Sequence, residues 1–293
     1  MDSIKKAKAA IKLGKRINIE GLTIFTALSI VVILLFLALF GDLIVPHNPT
    51  ECVLQARLLP PFWLKGGSMK YALGTDPVGR DLLSRTIVGA KYSLGVSIVA
   101  VILSALIGVT VGMVSGFVGG IVDAIIMRFA DLAIAFPMII LGLLMGITLG
   151  PSVPTLITVL VIVQWARFAR QVRGEVLSIK ETDFVAQARV AGCSTARMIL
   201  RHIFPNITNT LLVLMTLQVG WSIIVESSLS FLGAGIPPPT PGWGLMVAYG
   251  RDYLISAWWV SLVPGTAIMI TILAFNTIGD WVRDRLDPRL RQL

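Results

Sequence analysis

Residues 183–206 read Asp183-Phe-Val-Ala-Gln-Ala-Arg-Val-Ala-Gly-Cys-Ser-Thr-Ala-Arg-Met-Ile-Leu-Arg-His-Ile-Phe-Pro-Asn206, a basic stretch between two apolar runs. Val185, Ala188 and Ala191 recur at helical spacing. Gly192 then interrupts, Ser194 is placed to cap a second short helix over 195–203, and Pro205 stops it. Two short helices joined by a turn, carrying Arg189, Arg197 and Arg201, suit a groove on another protein. They equally suit an anionic lipid surface. The residues alone leave both open.

The rest of the chain places this stretch beside a membrane. Of its 293 residues 55% are hydrophobic and only 14% charged, with mean hydropathy +0.83. Soluble domains carry roughly 25% charge, so this apolar surface exceeds what one soluble core buries. The net charge of +9 follows from basic residues beside apolar spans rather than from a nucleic-acid surface.

Outward from the stretch, the spans come in order. Residues 1–21 form a basic cytoplasmic lead-in. Leu22 to Gly41 is uncharged and long enough for ~30 Å of helix. Residues 46–91 form an external segment rich in Pro and Gly, with a short helix expected over 77–88, capped by Thr75 or Asp76. That helix lies along the outer interface or meets a docking protein. Tyr92 to Val122 is uncharged, with Ser104, Gly108, Gly112, Gly116 and Gly120 at every fourth position, a stripe for close helix packing within or between subunits. Gly142, Gly146 and Gly150 repeat it in a third span that begins near Asp123 and bends at Pro137. Arg128 and Asp131 share a face of that span, as an ion pair or a gate. A fourth span runs from Thr155 to an inner end among Arg167, Arg170 and Arg173. A fifth covers 207–224, and a sixth 253–279 with Trp258 and Trp259 at its outer end. Between the last two, Pro237, Pro238, Pro239 and Pro241 disfavour regular helix, while Trp243 and Tyr249 suit the interface. Glu226, near the outer end of the fifth span, is either an anchor held by Ser227, Ser228 and Ser230 or a group on a substrate path.

With both ends inside, 18 of the 25 basic residues fall on the inner side, a bias that supports this orientation. Cys52 and Cys193, and likewise His47 and His202, then sit on opposite sides. No phosphate-cradling Gly-x-x-x-x-Gly-Lys string, hydrolase Gly-x-Ser-x-Gly or zinc-binding His-Glu-x-x-His occurs, so no catalytic residue, metal ligand or cofactor is expected in this chain.

The central stretch resembles the cytoplasmic "EAA" loop of ABC importer permeases. There Glu-Ala-Ala is followed by three residues and a Gly, and later by Leu-Pro. Here Ala186-Gln187-Ala188, Gly192 and Phe204-Pro205 hold those places, with Ala186 for Glu, Gln187 for Ala and Phe204 for Leu. Three further stretches are similar to the dipeptide, oligopeptide and nickel importer permeases: Leu73 to Arg85; Ser230-Phe231-Leu232-Gly233 with Pro239 to Gly244; and Gly279 to Pro288. The resemblance implies an all-α polytopic membrane protein with six transmembrane helices in the type I ABC importer transmembrane fold. Its parts would be a lead-in 1–21, a first helix 22–45, an external segment 46–91, a core 92–280 with coupling loop 173–206, and a cytoplasmic tail 281–293. It implies a permease in a bacterial or archaeal inner membrane, passing peptides, or alternatively nickel or a metal chelate. Partners would be two ATPase subunits carrying the ATP, a second permease and an external substrate-binding protein. Ala186, Gln187, Ala188, Gly192 and Pro205 would be the docking elements. A self-standing channel or carrier is the competing class.

Overall fold

The computed structural model describes residues 2–286, with side chains from Gly21 onward. The side chains of the basic lead-in, and the tail from residue 287 with Arg289 and Arg291, lie outside the described residues. Those described are helical or irregular, apart from one isolated bridge between Thr75 and Asp81. The helices are α1 (Asp2–Ile44), α2 (Leu82–Val118), α3 (Gly120–Ala135), α4 (Met138–Leu149), α5 (Val153–Ile179), α6 (Asp183–Val190), α7 (Thr195–Arg197), α8 (Phe204–Phe231), α9 (Trp243–Gly250) and α10 (Trp259–Leu286). Five helical stretches are long and apolar enough to cross a membrane, and six when α3 and α4 count as one span bent by 82°. The break falls at Phe136-Pro137, where proline has no N–H to continue the ladder.

The helix α2 begins where Asp81 caps it, its carboxylate accepting from Ser84 N at 3.0 Å and Ser84 Oγ at 2.6 Å. The separate outer helix expected over 77–88 does not form. Asp76 instead closes a tight loop, accepting from the backbone N–H of Val78 and Arg80 and from Arg80 Nε at 2.5 Å. The Thr75 hydroxyl donates to the Ala56 carbonyl. From Leu82 the helix runs unbroken through Arg85 and Lys91, because both cations find partners. Arg85 donates to Pro49 O at 2.7 Å, and Lys91 to Asp42 on α1 at 2.6 Å.

The glycine stripe of α2 packs on α5 within this chain. A Cβ on Gly108 would stand 2.4 Å from Trp165 O, one on Gly112 2.6 Å from Ala169 O, and one on Gly116 2.9 Å from Val176 Cβ. Backbones this close maximise dispersion contacts where lipid removes the hydrophobic drive between helices. The stripe ends there. Gly120 has left α2 and, at φ +58°, opens α3 with free space around it. In the same way Gly142 and Gly146 receive Leu229 and Ala234, whereas Gly150 lies beyond α4.

Two further ends differ from the sequence expectation. The helix α5 continues to Ile179, past Arg167, Arg170 and Arg173. A lone charge in a bilayer costs roughly 2.5–3.5 kcal/mol, but each of these has a partner on a neighbouring helix, described below. Nor does Pro205 stop a helix. Thr195–Phe231 is one continuous helical stretch, with a π-helical segment, Met198–Ile203, just before the proline. The wider π turn eases the clash of the proline ring with the preceding turn, so the helix passes through Pro205 without ending.

On the outer side residues 232–242 are irregular, as the prolines require, and α9 follows. Trp243 does not lie at the interface. It is 1% exposed, seated against Gly89 of α2, with Nε1 donating to Thr86 O at 2.9 Å. The sixth span starts at Trp259 rather than Tyr253, after a 3-10 turn over Arg251–Tyr253. Phe168, Ile203, Ile207, Ile223 and Trp243 centre one core among α2, α5, α8 and α9, and Leu156, Leu160, Leu229 and Ile236 centre a second. The apolar stretch of α1 packs one face, with Ala27, Val31, Leu34 and Ala38, on the bundle and leaves the other exposed, which suits lipid or a second membrane subunit.

Candidate functional site

The segment between α5 and α8 stands out from the bundle. Of the expected docking residues, Ala186 and Gln187 are exposed on α6, Ala188 is half-buried, and Pro205 is exposed at the start of α8. Val185 on α6 is fully buried and anchors it, with Met198 and Ile203 anchoring the return. Gly192 ends α6 by a complete Schellman motif: its own N–H bonds Arg189 O at 3.0 Å, and Cys193 N bonds Ala188 O at 3.0 Å. That motif needs a left-handed residue, and Gly192 has φ +77°. A Cβ there would meet nothing within 4 Å, so its outer side is open. Around it Val190 is 90% exposed and Leu200 64%, interleaved with exposed Arg189, Arg197 and Arg201. A mixed apolar and cationic surface of this kind fits a protein groove with acidic rims.

A second feature runs along α5. Gln164, Arg167, Gln171 and Glu175 recur at i, i+3, i+7 and i+11 and meet α8. Gln164 Nε2 donates to Ser222 Oγ at 2.5 Å, and Ser222 Oγ to Gln218 O at 2.7 Å. The Arg167 guanidinium lies 4.1 Å from the centre of the Trp221 ring, a half-buried cation–π contact worth about 1 kcal/mol. Glu175 Oε1 accepts from Gln171 Nε2 at 3.3 Å and from Thr210 Oγ1 at 3.4 Å. At its inner end the seam opens into a cavity of ≈ 600 Å³ lined by Gln171, Glu175, Asn206, Asn209, Thr210, Val213, Leu214, Leu217, Arg283 and Leu286. Polar side chains within a span mark paths. Sequence reasoning passed over this seam, although its period, i, i+3, i+7, i+11 on an apolar span, was a readable signal.

The residues singled out as path or gate are dispersed. Arg128 and Asp131 do not pair with each other. Asp131 accepts from Arg170 Nη2 of α5 at 2.5 Å, because α5 runs beside α3 and offers a cation across the gap. Arg128 is exposed, with no ion pair among the described residues. About two turns before Asp131 on α3, Asp123 takes Arg173 in a bidentate pair at 2.5 and 2.6 Å and also accepts from the Ser115 hydroxyl. Lys180 Nζ donates to Gly116 O at 3.1 Å. The inner ends of α2, α3 and α5 are thus fastened just before α5 leads into α6.

Glu226 lies on neither feature. It is fully buried on α8, accepting from Ser230 Oγ at 2.8 Å and Ser227 Oγ at 3.3 Å. Ser228, the third serine expected there, bonds back to Ile224 O instead. Ser230 Oγ also accepts from Ile236 N at 3.2 Å, so the carboxylate organises the loop that follows α8. Among the described residues no three His, Cys, Asp or Glu side chains converge as a metal site requires.

The bundle has the apolar spans of a multi-pass membrane protein, and α6 is an exposed segment between two of them. Residues 108–292 match the family of binding-protein-dependent transport system inner membrane components, and the chain belongs to that family. It is a multi-pass inner-membrane permease subunit of an ABC importer. It is 48% identical over 262 residues to the dipeptide transport system permease protein DppC of Escherichia coli (strain K12), covering 89% of this chain and 87% of that one. To the di/tripeptide transport system permease protein DppC of Pseudomonas aeruginosa it is 38% identical, covering 90% and 87%. Among solved structures, the crystal structure of an amino acid ABC transporter with histidines matches with TM-score 0.54 at 17% identity, covering 70% of this chain and 95% of that chain. That likeness concerns the fold alone.

Proposed function

We propose that this subunit passes short peptides, and that α6 with its flanking turns receives the motion of two ATPase subunits. ATP is bound and hydrolysed on those partners. A second permease completes the path, and an external binding protein delivers the peptide to the outer face formed by residues 46–81 and α9. Ala186, Gln187, Ala188, Gly192 and Pro205 are the docking elements. The substrate class rests on the likeness to dipeptide and di/tripeptide permeases.

The coupling role is carried by one observation: α6 leaves the bundle on a single fully buried anchor, Val185, and turns back through an open glycine. A push on α6 passes directly to α5 through the short link at residues 180–182. Arg173 and Arg170 hand it on to Asp123 and Asp131 of α3, so the half-span before the 82° break moves with α5. The test is to crosslink native membranes, purify the tagged chain in mild detergent and identify what accompanies it. Two ATPase subunits and a second permease are expected. The chain alone would contradict the reading.

A further inference from the structure

The cavity at the inner end of the α5–α8 seam holds both charge signs and several amides. Glu175 supplies a carboxylate from α5, and Arg283 a guanidinium from α10. Glu175 meets only neutral donors, Gln171 and Thr210, and has no ion pair among the described residues; Arg283 likewise has none. Asn206 and Asn209 add two amides in the first turns of α8, and Leu214 and Leu217 give an apolar wall. This donor set is complementary to one chemical class: a short zwitterionic peptide, with an ammonium at one end, a carboxylate at the other and an amide between. A carboxylate prefers an ammonium, and a guanidinium pairs with a carboxylate by two parallel hydrogen bonds. Asn side chains donate and accept, so they match a peptide bond whatever the side chains are. The volume of ≈ 600 Å³ is of the size that small-molecule sites have.

We infer that this cavity is a transit site that holds di- and tripeptides by their backbone ends, Glu175 taking the α-ammonium and Arg283 the α-carboxylate. It releases them toward the cytoplasm. The inference rests on the peptide-importer reading and specifies where within the permease the peptide pauses. Selection by ends rather than side chains lets one permease pass many sequences.

The test uses the complete transporter in nanodiscs, with binding protein and ATP, Cys52 and Cys193 replaced by Ser, and Val213→Cys as a reporter in the cavity wall. Maleimide labelling of that cysteine is timed during turnover with dialanine, and with N-acetyl-dialanine amide at equal concentration. Dialanine is expected to slow labelling at least 5-fold and the capped peptide not at all. Glu175→Gln and Arg283→Gln should each remove the protection while the complex stays assembled. Equal labelling rates with and without dialanine, while the same complex imports dialanine, would overturn the transit site and leave the importer reading intact. No ATP-dependent dialanine import at all would instead sink the peptide reading. Protection that survives both substitutions would show that the peptide is held by other groups, which also overturns the assignment.

Discussion

At Gly192 the requirement is for a backbone conformation and for free space beyond it. The left-handed φ costs an ordinary residue roughly 1–2 kcal/mol, while asparagine tolerates it. Gly192→Asn is therefore expected to fold and transport nearly as wild type does, measured as thermal midpoint and ATP-driven uptake of the assembled complex. The α2 stripe gives a sharper contrast. Gly112→Val drives methyl groups into Ala169 O, already 2.6 Å from the nearest Cβ position, and should cost more than the ~1–3 kcal/mol typical of overpacking, seen as loss of folded protein by size exclusion. Gly95→Ala meets open space on the same helix and should be neutral or slightly stabilising; comparable loss in both would refute the packing account. The stripe itself was legible, because small residues every fourth position have few other uses in a span. The partner of Asp131 was not. Residues three apart on a helix are visible in sequence, whereas Arg170 reaches Asp131 only once α3 and α5 lie side by side.

Among the helices whose ends were misread, α5 shows the reason most clearly at its inner end. A run of arginines reads as the end of a span only while each is taken as unpaired. Here Arg167 meets Trp221, Arg170 meets Asp131, Arg173 meets Asp123, and the helix carries on to Ile179. The Asp123–Arg173 pair should then matter twice. Asp123→Asn removes a charge-assisted, bidentate contact worth about 2 kcal/mol, lowering the midpoint of the complex, and it unfastens α3 from α5. Uptake is expected to fall further than ATP hydrolysis does. Parallel losses in both would make the pair a stabiliser and nothing more. Glu226 belongs to α8 and its outer loop. Since Ser227 and Ser230 donate to it and Ser230 in turn takes Ile236 N, Glu226→Gln should retain most uptake. Glu226→Ala, which leaves these hydroxyls without their acceptor, should be recovered poorly from membranes. A Gln variant that folds fully but is dead for transport would place Glu226 on the path after all. The serines around Glu226 were legible as partners, but which of them face it depends on helix phase, and Ser228 points away.

For the molecule as a whole, hydropathy and run length were enough to find five apolar spans, and a sixth when α3 and α4 count as one. Those signals are strong because a bilayer leaves few alternatives for a backbone that must satisfy itself. The polar seam was harder to see. Single Gln and Glu residues scattered through 164–175 mean little until α8 supplies Ser222, Trp221 and Thr210 opposite them. The outer segment was harder still. Part of its order comes from Arg85 meeting Pro49 and Pro239, and Ser84 meeting His47, across long sequence gaps, which no local pattern announces.

The central claim is that α6 turns ATPase motion into peptide movement through this bundle. ATP-driven dialanine uptake by the reconstituted complex, with wild type, Gly192→Asn and Gly192→Trp compared side by side, tests it most directly. The indole of Gly192→Trp would project into the open space beyond this residue, where the proposed ATPase contact would form. Wild type and Gly192→Asn should take up the peptide only with ATP, whereas Gly192→Trp should still hydrolyse ATP but import at least 10-fold less. Uptake without the ATPase subunits, or undiminished uptake by Gly192→Trp, would contradict the account.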